Sequence, residues 1–203
     1  ENGGAASNDL WIYDFTATGD ITNGVNHRLT EGASGESTTK FNSDWTPSGD
    51  IVFCWGHNLA VIDPGQSPRW VGPISNPSDP HVTFLTNDAS YPSIRYSYPS
   101  WSPDLSQVVY ADESAGTGGG GIRIIDASPG GNRYPVTASG SYPDWGNPQP
   151  GDLKGRIAFM ILSEQKLYEM NADGSSRQQV PLPPLGVAAP YGPQWSRDGL
   201  WLT

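Results

Sequence analysis

Short apolar runs separated by turn clusters recur along the whole chain, and each run has the length of a strand. Residues 50–55, 107–111 and 155–162 form one set of such runs. A second set follows with polar ends: Leu59-Ala60-Val61-Ile62-Asp63, Ile122-Arg123-Ile124-Ile125-Asp126 and Leu167-Tyr168-Glu169-Met170-Asn171. Pro64-Gly65, Ser128-Pro129-Gly130-Gly131 and Ala172-Asp173-Gly174 come next, and all three have the chemistry of tight turns. A last short run, at 83–86, 134–137 and 179–182, closes each unit. Runs of four to eight residues bounded by Gly, Pro, Asn and Asp read as β-strands, and breakers recur too often for long helices. The pattern predicts units of four short antiparallel strands joined by hairpins.

Each unit is announced by a tryptophan before a turn. The four segments are Ser43-Asp44-Trp45-Thr46-Pro47-Ser48-Gly49, Pro99-Ser100-Trp101-Ser102-Pro103-Asp104, Pro143-Asp144-Trp145-Gly146-Asn147-Pro148 and Pro193-Gln194-Trp195-Ser196-Arg197-Asp198-Gly199. Repetition of four-stranded units is the sequence signature of a β-propeller. The ends of the chain complement one another. Leu10-Trp11-Ile12-Tyr13-Asp14 and His27-Arg28-Leu29-Thr30 match the third and fourth strands of a unit, and residues 193–203 match the first and second. The tryptophans lie 56, 44 and 50 residues apart, and the interval counted through both termini is 53. We therefore expect an all-β fold: a propeller of four four-stranded antiparallel blades in a single domain, one blade closed by pairing of N- and C-terminal strands. The blades fall at about 43–86, 99–137, 143–182, and 193–203 plus 10–30. Such closure leaves no open sheet edge at the seam. Truncation of a larger propeller at matching points is the rival account.

Composition agrees with a turn-dense folded chain. The 203 residues include 25 Gly and 19 Pro, beside 8 Trp and 9 Tyr that a disordered segment would lack. Eleven basic and 21 acidic residues give a formal charge of −10, and no basic run exists, which argues against nucleic acid as a partner. No stretch has the length of a membrane-spanning helix, so membrane insertion is not expected. The single Cys54 lies in an apolar run, where it reads as a buried structural thiol. The chain begins at Glu1, which fits a processed or an excised sequence.

Trp101-Ser102-Pro103-Asp104 and Trp195-Ser196-Arg197-Asp198-Gly199 resemble the Trp-Ser-Pro-Asp-Gly core of the repeats in the TolB-like β-propeller family. Residues 167–174 are similar to that family's strand and turn before the next repeat. Arg28-Leu29-Thr30 and Phe84-Leu85-Thr86 resemble its terminal strand. Trp145-Gly146-Asn147-Pro148 departs from the core, and Leu105 stands where the turn glycine belongs. The resemblance implies a propeller working outside the cytoplasm, periplasmic or secreted to the cell surface. It does not choose among interaction modules, peptidase gating domains and carbohydrate-active enzymes.

The residues themselves carry no catalytic constellation. No Gly-x-Ser-x-Gly elbow is present, and the glycine run at 118–121 leads into Ile122-Arg123 rather than Lys-Ser. Two sets of residues are candidates for binding. In the propeller reading, the residue before each repeat tryptophan (Asp44, Ser100, Asp144 or Gln194) occupies an equivalent place around the axis. Facing the channel, the four would offer oxygen ligands to a hard cation such as Ca²⁺. Facing a neighbouring blade, they would be structural. The second set lies on inserted loops: Arg69 and Trp70, then Tyr91, Arg95, Tyr96 and Tyr98, and finally Tyr191. Displayed aromatics beside arginine suit an interface or a sugar, and packing under the loop explains them equally. The leading expectation is a non-enzymatic interaction or scaffold module that binds a protein or a second copy of itself. The alternatives are a carbohydrate-binding or carbohydrate-active propeller and the gating propeller of a larger hydrolase.

Overall fold

The computed structural model describes residues 9–15, 21–31, 40–66, 69–88, 96–115, 121–147, 155–182, 192–196 and 198–203. It is all-β, with two single-turn 3-10 segments, Ile21–Asn23 and Glu113–Ala115. A hairpin of β1 (Trp11–Asp14) and β2 (Val25–Arg28) comes first. Blade one holds β3 (Lys40–Trp45), β4 (Ile51–Trp55) and β5 (Asn58–Ile62), then an inserted hairpin of β6 (Gly65–Gln66) and β7 (Arg69–Trp70), and last β8 (Val82–Phe84). Blade two is β9 (Tyr96–Trp101), β10 (Gln107–Asp112), β11 (Gly121–Asp126) and β12 (Arg133–Thr137). Blade three is β13 (Ser141–Gly146), β14 (Arg156–Ile161), β15 (Lys166–Asn171) and β16 (Gln178–Gln179). The strand orders β3-β4-β5-β8, β9-β10-β11-β12 and β13-β14-β15-β16 are antiparallel meanders. Four-stranded meanders packed face to face around a shared axis make the chain a β-propeller.

The second strand of each blade shows why these sequences need this arrangement. Every residue of β4 is buried, so its two faces both meet apolar neighbours. Ile51, Phe53 and Trp55 pack with Ile12 and Leu29 of the N-terminal hairpin, whereas Val52 and Cys54 pack with Tyr96, Val108 and Tyr110 of blade two. The same division recurs in β10: Val108 and Tyr110 face blade one, while Val109 and Ala111 join Ile157, Phe159 and Met170 of blade three. Continuous apolar runs in place of alternation are what a sheet buried on both faces requires. Burial also raises the Cys54 thiol far above its ordinary value, so it is inert at neutral pH.

The two segments expected to share the fourth blade form separate hairpins. The β1–β2 hairpin docks on blade one, and Trp195 bridges Leu202 in a hairpin against blade three. A β-carbon on Gly146 would lie 2.6 Å from the Trp195 ring, so only glycine admits that indole. Among the described residues no ladder joins β1 to residues 200–203. Trp11 and Trp201 stand 55% and 70% exposed. The first strands of blades one to three begin at Lys40, Tyr96 and Ser141, earlier than the repeat boundaries suggest.

The serine and aspartate of the Trp-Ser-x-Asp core build the turn after the first strand. Ser102 Oγ donates to Asp104 Oδ1 (2.7 Å) and accepts the N–H of Gln107 (2.9 Å). Ser196 repeats this with Asp198 (2.6 Å) and the N–H of Trp201 (2.9 Å). In blade one Thr46 takes the part, accepting the N–H of Asp50. The hydroxyl of Ser102, then the N–H and hydroxyl of Ser106, hold the Asp104 carboxyl below its ordinary pKa. A depressed carboxylate stabilises the fold above the unfolded value near pH 4, and that contribution is lost as pH falls through the lower folded value. Asp104→Asn is therefore expected to lose about 0.5–1 kcal/mol at pH 7, water screening the exposed carboxylate. The difference from wild type should shrink toward pH 3. Urea unfolding at the two pH values measures it, and an undiminished difference in acid would refute this role.

Candidate functional site

The site forms where the first strands of the blades converge, and a repeated distortion aims them there. Asn42, Tyr98 and Tyr142 have φ of 48°, 52° and 55°, and Gly192 at the equivalent place has 64°. Each lies two residues before the candidate axial residue. The strand ladder shifts register at each of the first three, as a bulge does. A left-handed tyrosine backbone is strained, and here it occurs at equivalent positions in two blades. After the bulge the next residues turn inward and bring Asp44, Ser100, Asp144 and Gln194 to the lining of the same two cavities.

These side chains stitch one blade to the next. Asp44 Oδ2 accepts the backbone N–H of Trp101 (2.8 Å), Ser100 Oγ accepts that of Trp145 (3.1 Å), and Asp144 Oδ2 accepts that of Trp195 (2.5 Å). The residue before one blade's tryptophan thus caps the N–H of the next blade's tryptophan. The sequence rule changes at the seam, where the N–H of Trp45 bonds to Asp44 Oδ1 of its own blade (2.8 Å). Ser100 also lies 3.2 Å from Asp44 Oδ2 and 3.1 Å from Asp144 Oδ1. A hydroxyl has one hydrogen, so it donates to one carboxylate at a time. Burial, with the charge of Asp44 adding to it, raises the Asp144 carboxyl above its ordinary pKa against the opposing hydrogen bonds from Trp195 and Ser100.

Two cavities open along the axis on either side of this ring. One, of about 240 Å³, is lined by Asn42, Tyr98, Tyr142 and Gly192 above the axial residues. The rings of Tyr98 and Tyr142 are 4.2 Å apart, and burial, then the hydrogen bond to Tyr142, pushes the Tyr98 hydroxyl up to about 12. The other, of about 450 Å³, is lined by all four repeat tryptophans, Trp45, Trp101, Trp145 and Trp195, together with Asp44, Ser100, Asp144 and Gln194. Trp145 is buried and Trp101 and Trp195 are half-buried, but Trp45 stands 48% exposed. Trp45 is a wall of an open mouth.

The loop candidates take different places. Trp70 is half-buried, and its indole donates to Asp14 Oδ2 (2.9 Å) with the His27 ring 6.1 Å away. The insertion that carries it straps the N-terminal hairpin to blade one: Ile74 exchanges backbone bonds with Leu29 and Glu31 (2.9 Å each). Arg69 lies in β7, paired with Gln66. Tyr96 is buried between blades one and two, donating to Asp88 (2.9 Å) and receiving a bond from Arg133 (2.8 Å). Tyr98 lines the smaller axial cavity. Tyr91, Arg95 and Tyr191 lie outside the described residues. Tyr142 was missed by sequence reasoning, although its place two residues before Asp144 repeats that of Tyr98 before Ser100. Among the described residues, no three His, Cys, Asp or Glu side chains come together as a metal cluster.

No family model and no characterised protein sequence matches the chain. Among solved structures it is similar to a chain of a nidogen/laminin complex, at 12% identity over 73% of this chain and 49% of that one, with a TM-score of 0.50. It is also similar to virginiamycin B lyase from Staphylococcus aureus (15% identity, 84% of this chain and 49% of that one, TM-score 0.48) and to a TolB-type protein from Agrobacterium tumefaciens (15%, 84% and 68%, TM-score 0.41). The chain spans about half the length of the first two. At these identities the likeness concerns fold, and the fold is the β-propeller.

Proposed function

We propose that this chain is a non-catalytic propeller of TolB-like type that binds a protein segment at the tryptophan-lined mouth of its axis. The observation that carries the reading is the convergence of the four repeat tryptophans on one open cavity of about 450 Å³. Concave sites with aromatic walls and a few fixed polar groups are the common form of binding pocket. The polar residues beneath are engaged in holding blade to blade. Asp44, Ser100 and Asp144 each accept a backbone N–H of a repeat tryptophan, which is a structural duty. The Trp-Ser-Pro-Asp resemblance supports a setting outside the cytoplasm, periplasmic or cell-surface.

Selection of a random-peptide phage library on the immobilised protein tests the proposal. Peptides should be enriched whose binding falls about tenfold or more on Trp45→Ala, an exposed position where truncation costs little stability. Binding should survive Tyr134→Ala, an exposed aromatic on β12. Failure to enrich any peptide, or enrichment indifferent to Trp45, would refute it. A carbohydrate ligand is the second reading, because an exposed indole beside carboxylates also suits a sugar ring. Glycan binding at the same mouth, lost on Trp45→Ala, would favour that reading instead.

A further inference from the structure

Resting on that reading of the mouth, we infer that the group it takes is a cationic side chain, the lysine or arginine of a basic protein segment. Three features of the cavity lead there. Its lining includes the four repeat tryptophans, Trp45 the most exposed of them, and the tryptophan face is the best π-surface for an organic cation. Its lining holds two carboxylates, Asp44 and Asp144, which share the single hydroxyl hydrogen of Ser100. Among the described residues neither is bonded to a side-chain cation: the partners are backbone N–H groups and Ser100. The cavity is therefore electronegative at its base and aromatic at its sides.

Charge complementarity extends over the molecule. The chain carries 21 acidic against 11 basic residues, so its field draws a basic segment in and turns an acidic one away. An organic cation fits this mouth better than a hard metal ion. Calcium takes six to eight oxygens. Here carboxylate lone pairs already serve N–H and O–H donors, and the walls include the tryptophans with Pro47, Pro103 and Leu105. A guanidinium or ammonium group needs fewer oxygens and gains from the rings that calcium cannot use. Guanidinium is also weakly hydrated, so its transfer from water costs less than that of a compact ion.

The probes are capped pentapeptides, acetyl-Gly-Ala-X-Ala-Gly-amide with X as Lys, Arg, Gln or Glu, titrated while the indole N–H resonances and tryptophan fluorescence are followed. The Lys or Arg peptide should bind at least about tenfold more tightly than the Gln peptide, and the Glu peptide should not bind. Rising salt should weaken the interaction. Trp45→Ala should reduce it about tenfold. Asp44→Asn, which keeps an acceptor oxygen for Trp101 while removing the charge, should do the same with an unchanged circular dichroism spectrum. Equal binding of the Lys, Arg and Gln peptides, or indifference to both variants, overturns the inference. Calcium that displaces the Lys peptide and fails to do so in Asp44→Asn would make this an ion site instead, and also overturns it. Library peptides that need Trp45 but carry no basic residue would sink the cation while leaving the protein-binding mouth intact. If no peptide uses Trp45, both readings fall.

Discussion

Phe159→Ala is expected to destabilise the protein by about 3–5 kcal/mol, which for a chain of this size lowers the melting temperature by roughly 6–20 °C. Phe159 is fully buried in the cluster that joins blade two to blade three, among Val109, Ile122, Ile124 and Met170. Its ring stacks on Tyr168 with centroids 5.8 Å apart, and the Arg177 guanidinium lies 5.8 Å from it. Backbone also presses close: a β-carbon on Gly140, which has φ of 146°, would lie 2.8 Å from Phe159. Closely held surroundings collapse little into a new void, so the cost belongs at the upper part of that range. Differential scanning calorimetry measures it. A loss below about 1 kcal/mol would mean that the blades do not share this core.

Asp144→Ala should be the next most damaging, and its effect should be local. The carboxylate holds the backbone N–H of Trp195 at 2.5 Å and receives Ser100 at 3.1 Å. A hydrogen bond to a charged group contributes about 1.5–3 kcal/mol, and alanine leaves the Trp195 donor without its acceptor. Part of that loss is offset, because burying the Asp144 charge is itself unfavourable, as its raised pKa records. The sign follows: a carboxyl with a raised folded pKa loses stability as pH climbs through the interval between its unfolded and folded values. Asp144→Ala should therefore hurt most in acid, where the wild-type carboxyl is protonated and free of that charge cost, and somewhat less at neutral pH. Hydrogen exchange should show Trp195 and the hairpin to Leu202 deprotected, while β14 and β15 keep their protection. Uniform loss of protection across blade three would contradict this division of labour.

Much of the fold could be read from the chain because each tryptophan marks the same place in a structural repeat. The apolar runs gave the count of strands per unit and their antiparallel pairing, and the tryptophan marker gave the equivalence of Asp44, Ser100, Asp144 and Gln194. The bulge that steers them inward was not legible, since Asn42, Tyr98, Tyr142 and Gly192 share a backbone conformation and no residue type. The fate of Trp70 was also hidden. An aromatic in an insertion is displayed or tucked under according to a partner elsewhere in the chain, here Asp14, 56 residues away. Trp45 and Trp145 occupy equivalent sequence positions yet differ in exposure, because one borders the seam and the other a complete blade. Local sequence records the repeat; such differences come from what lies across the neighbouring sheet.

The account rests on the axial ring in which one blade's side chain caps the next blade's tryptophan. Scalar couplings across hydrogen bonds, measured by NMR on isotope-labelled protein, test it directly. The backbone nitrogen of Trp101 should couple to the side-chain carboxyl carbon of Asp44, and that of Trp195 to the carboxyl carbon of Asp144. Absence of both couplings, with rapid exchange of the Trp101 and Trp195 amides, would contradict blades joined through these axial caps.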